Sequence, residues 1–159
     1  MDSTPLGEDG AVPDEKALRT TVALEGDGTV IARARHLAAG FLGRVQDEHD
    51  VPVSRRAVDL TQLVVSELVT NARKYAPGPV LLNLRILGDL VEIEVWDSDP
   101  VLPVARAADV GRVGQHGLEI VLAVAEGFEV RREVVGKRIT VRLALHDEPA
   151  AARSGRPPA

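Results

Sequence analysis

The stretch from Val64 to Ala76, V-V-S-E-L-V-T-N-A-R-K-Y-A, constrains this chain more than any other. Val64, Val65, Leu68, Val69, Ala72 and Ala76 recur at helical spacing. They line one stripe of a helix and need a surface to bury against. Glu67 and Asn71 are four apart and sit one above the other on a different face, with Lys74 one further turn along it. A carboxylate, an amide oxygen and an ammonium in that line can hold a divalent cation, a water and a phosphate. The same spacing also serves an ordinary solvated face, and the stretch alone does not separate the two.

The rest of the chain supplies the surface. Residues 1–16 are rich in Gly, Pro and acids and predict a disordered segment. Leu18, Thr20, Val22 and Leu24 alternate as in a strand, and Gly26-Asp27-Gly28 reads as a turn. Val30, Ala34, Leu37, Ala38, Phe41, Leu42 and Val45 predict a helix over 30–48, after which Pro52 breaks the chain. Ser54 is placed to cap the helix that runs to Tyr75, and Pro77-Gly78-Pro79 stops it. Two strands follow, 80–87 and 90–96, joined at Gly88-Asp89. In the second, Val91, Ile93 and Val95 alternate with Glu92, Glu94 and Trp96, which predicts one covered face and one wetter face. Residues 101–113 read as a loop or lid, 118–125 as a short helix, and 128–135 with 138–145 as a last hairpin turning at Gly136-Lys137. Gly88 and Gly136 read as hairpin-turn glycines, and residues 147–159 as a flexible tail.

Adjacent strands joined by tight turns, with few helices left to cover them, predict an α+β two-layer sandwich. Its sheet is expected to be mixed but mostly antiparallel, covered by helices on one face. The single folded domain is expected over residues 17–146.

Charge and composition narrow the function. The net charge of −5 resides in Asp2, Glu8, Asp9, Asp14 and Glu15, and the charges from Lys16 onward balance. The domain therefore has no basic field for nucleic acid or anionic lipid. Aromatic residues make up only 3% of the chain, which argues against a base-stacking platform. The absence of cysteine excludes disulfides, thiolate catalysis and cysteine–zinc sites. No signal-peptide pattern and no membrane-length apolar run is visible, so a cytoplasmic protein is expected.

Three elements bear on one site. Glu67, Asn71 and Lys74 come first. Asp97, ending a central strand, comes second; a carboxylate there can accept from an exocyclic amine such as that of adenine, although an aspartate in this position also serves as a plain turn residue. Third, Gly114-Gln115-His116-Gly117 opens a helix, where backbone N–H groups can meet an anion; two glycines before a helix also serve as an ordinary loop. His116, with no second histidine beside it, reads as a lid residue or partial cap rather than a metal ligand. A phosphate loop of the G-x-x-x-x-G-K-[ST] type and a dinucleotide fingerprint are both missing.

In order and spacing, residues 63–145 resemble the ATP-binding domain of the GHKL superfamily, which includes histidine kinases, gyrase and anti-sigma-factor serine kinases. S-E-L-V-T-N-A-R-K-Y-A is similar to the family's N box, W-D-S-D-P stands at its first glycine box, and G-Q-H-G-L-E-I-V is similar to its second. The likeness extends to small stand-alone ATP-binding regulators of actinobacteria, similar to anti-sigma kinases. The resemblance implies a Bergerat-type fold with ATP and Mg²⁺ as ligands. It implies Asn71 as the Mg²⁺ ligand, Glu67 as general base and Asp97 as holder of the adenine amine. It further implies phosphate contacts from Gly114, Gly117 and Lys74, with Thr140 standing in for a threonine beside the adenine. Asp99-Pro100 departs from the first-box glycines, and Gly136-Lys137 is followed by Arg138 where the family often has threonine. The implied partners are a sigma factor or its small antagonist protein, with no direct nucleic acid and no membrane, and a homodimer through the first strand and helix.

With no phosphoacceptor-histidine helix ahead of the domain, a complete histidine kinase is not expected. Three readings follow: an anti-sigma-like serine/threonine kinase, a non-catalytic nucleotide-dependent switch that holds a sigma factor or other partner, and a detached interaction domain of a histidine-kinase-like system.

Overall fold

Alternating residues need a sheet, and the periodic helices need that sheet's apolar face. The computed structural model describes residues 18–26, 28–75, 78–98 and 115–146. Within them the order is β1 (Arg19–Leu24), α1 (Val30–His49), α2 (Arg55–Tyr75), β2 (Val80–Leu87), β3 (Leu90–Asp97), α3 (Gln115–Val124), β4 (Gly127–Arg132) and β5 (Lys137–Ala144). The strands form one sheet in the order β1-β2-β3-β5-β4. Every pairing among the described residues is antiparallel, where a mixed sheet was expected. The α+β two-layer architecture is as expected.

Strand parity sorts the side chains. Leu24 of β1, Val80, Leu82 and Leu84 of β2, Val91, Ile93 and Val95 of β3, and Ile139, Val141 and Leu143 of β5 are buried. They form one cluster with Val30, Ala34, Ala38, Phe41, Leu42 and Val45 of α1 and with Val64, Val65, Leu68, Val69 and Ala72 of α2. The stripe read from the sequence is thus the buried face of α2, apart from Ala76, which lies outside the described residues. Each fully buried Val or Leu contributes roughly 1.5–3 kcal/mol. Helix α1 lies over β1 and β2; α2 lies against α1 and over β3 and β5; α3 meets α2.

The element ends follow local chemistry. The Ala57 N–H donates to Ser54 Oγ at 3.0 Å, the cap expected at the start of α2. Asp50 ends α1 in the left-handed region at φ 55°, before Pro52 is reached. One strand end and one helix start differ from expectation by three residues each. β4 ends at Arg132 and the chain turns over 133–136, with Glu133 N–H donating to Gly136 O at 3.0 Å, so Val134 and Val135 are an exposed tip rather than strand. Helix α3 begins at Gln115, three residues earlier than the apolar spacing indicated. Among the described residues no helix is long and apolar enough to cross a membrane. The acidic N-terminal segment, the 101–113 lid, Asp99-Pro100 and the C-terminal tail all lie outside the described residues.

Candidate functional site

The end of β3 is where the apolar face of the sheet stops being apolar. Val91, Ile93 and Val95 face the helices, and the next residue of the same parity is Asp97, 1% exposed. β3 skips β4 and pairs with β5 in a register that sets Asp97 opposite Lys137. Lys137 has the parity of Ile139 and Val141, so it too faces the helix side, and it is 2% exposed. Its Nζ lies 3.1 Å from Asp97 Oδ1, within both hydrogen-bond and ion-pair range. Removing two charges from water costs several kcal/mol per ion, which only a close, well-partnered arrangement offsets. A buried pair at the mouth of an otherwise apolar layer is therefore a costly feature to keep.

Gly136 builds this corner. Its φ of +80° is one that side-chain-bearing residues rarely adopt. A Cβ there would sit 1.7 Å from the Asp97 carbonyl oxygen and 2.7 Å from Ser98 Cα. The β4–β5 turn thus lies directly on the end of β3, which only glycine permits, and the next residue is delivered to the Asp97 carboxylate. The turn reading of Gly136 from sequence was incomplete, since the glycine also sets the distance between two strands. Gly88, at φ +60° with nothing within 4 Å of an added Cβ, is a turn glycine alone.

On α2, Glu67 and Asn71 are half-buried and Lys74 is exposed. The helix packs across β3 and β5, the two strands that carry Asp97 and Lys137, and against α3. Arg73, between Asn71 and Lys74, turns away to donate from Nη1 to Gly26 O at 3.0 Å. Gly117 is the third residue of α3, inside the helix rather than ahead of it, so its N–H belongs to the first turn, where backbone donors have no intrahelical acceptor. Gly114 lies outside the described residues.

Thr140 is not on this side of the sheet. It sits between the inward-facing Ile139 and Val141, opposite Glu94, and its Oγ1 donates to Glu94 Oε2 at 3.4 Å. The structure therefore places Thr140 and Asp97 on opposite faces of the sheet. The signal was present in the sequence: alternation through Ile139, Val141 and Leu143 turns Thr140 outward and Lys137 inward.

The outer face carries its own polar lattice. Glu92 is buried although it points away from the helices. Arg85 Nε donates to its Oε1 at 2.6 Å and Arg142 Nε to its Oε2 at 3.0 Å. Asn83 Nδ2 donates to Glu94 Oε1 at 3.4 Å, and Thr21 Oγ1 donates to Asn83 Oδ1 at 2.8 Å. Thr21, Leu81, Asn83, Glu94, Trp96 and Arg138 line an open cleft of about 390 Å³ on this face.

No protein-family model matches the chain, and no curated protein matches it. Among solved structures it is similar to the histidine kinase domain from the Erythrobacter litoralis EL346 blue-light activated histidine kinase, at 20% identity and a TM-score of 0.44, over 68% of this chain and 61% of that one. The chain thus spans about three fifths of that neighbour's length, and no site residue is carried over from it.

Proposed function

We propose that this is an ATP-binding regulatory protein of the GHKL type, an anti-sigma-like serine/threonine kinase that phosphorylates or sequesters a small protein partner. The observation that carries the reading is Asp97, a carboxylate buried on the helix side at the end of β3, the strand against which the helix bearing Glu67 and Asn71 packs. Its burial makes it a selective acceptor for a base amine, since a desolvated hydrogen-bonding group rejects a ligand that leaves it unpaired.

The donor set fits a magnesium nucleotide. Asn71 would give Mg²⁺ one oxygen ligand, in keeping with that ion's habit of taking few protein ligands beside phosphates and waters. Bound Mg²⁺ would neutralise charge on the phosphates. Lys74 and the first turn of α3, with Gly114 and Gly117, would meet phosphate oxygens. Glu67 would accept the proton of an incoming serine or threonine hydroxyl. That oxygen bonds to the γ-phosphorus while the bond to the β–γ bridging oxygen breaks, and ADP leaves with the electron pair. The partner in this reading is a sigma factor or its small antagonist, and the setting is the cytoplasm.

Titration with Mg-ATP, followed by single-turnover transfer to a candidate antagonist, tests the reading. Glu67→Gln should leave ATP affinity unchanged and lower transfer by roughly a hundred-fold or more, the usual size of a general-base contribution. Unchanged transfer would remove Glu67 from the chemistry.

A further inference from the structure

We infer that the acidic segment of residues 1–16 docks across the outer face of the sheet, on the row of arginines that begins at Arg19. This does not depend on nucleotide binding. Among the described residues the helices all pack on the other face, and no element covers this one. Strand register lines up Arg19 of β1, Arg85 of β2, Glu92 of β3 and Arg142 of β5 in one row across it. Glu92 is satisfied, with Arg85 Nε 2.6 Å from its Oε1 and Arg142 Nε 3.0 Å from its Oε2. Arg142 also reaches Glu129, with Nη2 3.7 Å from Oε1. The charge left unanswered is at the β1 end. Arg19 is exposed, stands directly opposite Arg85, and pairs with no carboxylate among the described residues. Like charges in directly opposed strand positions repel, and Arg85 is already engaged by Glu92. An anion is what this edge lacks.

The same chain carries that anion close by. Asp2, Glu8, Asp9, Asp14 and Glu15 hold the net charge of −5, and the charges from Lys16 onward balance. Leu18 is still tied into the sheet, since Ile86 N–H donates to its carbonyl at 3.0 Å, so the acidic stretch joins the fold beside the first arginine of the row. Its reach fits the row. Asp14 and Glu15 stand five and four residues before Arg19, about 13–18 Å of extended chain. The row crosses three strand spacings, about 14 Å in all. These two acids therefore reach Arg19 and Arg85, and Glu8 and Asp9, eleven and ten residues before Arg19, reach Arg142 with slack. Exposed ion pairs are individually weak and are screened by salt. A tether offsets this by holding the acids at an effective concentration in the millimolar range. A partner bearing an acidic segment of its own would have to displace residues 1–16 to reach this face.

The chain has no cysteine, so Gly10→Cys takes a single nitroxide label in the full-length protein. Nuclear magnetic resonance then reads paramagnetic broadening at the Nε–H signals of Arg85 and Arg142 on the outer face and at the backbone amides of α1 on the other. At low salt the two arginine signals should broaden strongly while the α1 amides stay sharp. Neutralising the acids with Asp2→Asn, Glu8→Gln, Asp9→Asn, Asp14→Asn and Glu15→Gln should remove most of that broadening. So should about 1 M salt, where the screening length falls to about 3 Å. Arg19→Gln should weaken it. Broadening that is equal on both faces, or that survives salt, the neutral variant and Arg19→Gln undiminished, overturns the inference. A labelled chain mixed with a nitroxide-free, isotope-enriched chain tests the other occupant. Broadening of the same strength in that mixture means that the segment lies on a second copy, and it too overturns the inference. The salt arm keeps the native acids, so the outcome does not hang on how the neutral variant folds.

Discussion

The two faces of the sheet both bury a carboxylate, and they do so in opposite ways. On the outer face Glu92 is covered by its own partners. Arg85 and Arg142, themselves 40% and 27% exposed, lay their stems over it and keep part of their guanidinium groups in water. On the helix face Asp97 meets an ammonium that is as buried as itself. The first arrangement is what a solvated sheet does with a row of mixed charges, and it asks for no ligand. The second places two desolvated charges at the edge of a hydrophobic layer, where each depends on the other in place of water.

The largest effect should come from breaking the inner pair. Asp97→Ala leaves the Lys137 charge buried without its carboxylate and should cost about 3–5 kcal/mol in urea denaturation. Asp97→Leu combined with Lys137→Met removes both charges and should recover much of that loss. If the double variant were no more stable than Asp97→Ala, the pair would not be the source of the cost. On the outer face, Glu92→Gln should cost only about 1–2 kcal/mol, because Arg85 and Arg142 can turn to solvent.

Next comes the glycine that sets the inner distance. Gly136→Ala combines a left-handed φ with collision against the Asp97 carbonyl and should cost more than about 2 kcal/mol, whereas Gly88→Ala meets open space and should cost about 1 kcal/mol, the backbone term alone. Equal losses in thermal denaturation would mean that the β4–β5 turn can lift away from β3 at no cost, and the corner would not be rigid.

Much of this was legible before any coordinates. The stripe of Val64, Val65, Leu68, Val69 and Ala72 gave α2 because helical spacing is local information, and Ser54 gave its start because a cap needs only its own next turn. The hairpins at Gly88 and the alternation of β3 were local too. What lay out of reach was the meeting of residues 40 positions apart: that β3 pairs with β5 in the register joining Asp97 to Lys137. Strand register depends on which elements find each other, and no window of sequence contains it. The burial of Glu92 was hidden for the same reason, since it needs arginines from two other strands. Thr140 is a different case. Its outward direction is readable from the inward-facing Ile139 and Val141 on either side.

The smallest effect should be found on the outer face. Thr140→Val removes one long hydrogen bond to Glu94 and should change stability by less than about 1 kcal/mol and nucleotide affinity not at all. That pairs directly with the measurement on which the account depends most. Titrating Mg-ATP into wild type, Thr140→Val and Asn71→Ala compares the two faces in one experiment, with circular dichroism confirming that all three are folded. Saturable binding to wild type, the same affinity in Thr140→Val, and at least about a tenfold loss in Asn71→Ala, which removes the proposed Mg²⁺ ligand, are expected. Binding that Asn71→Ala retains and Thr140→Val loses, or a wild type that binds no Mg-ATP, would contradict it.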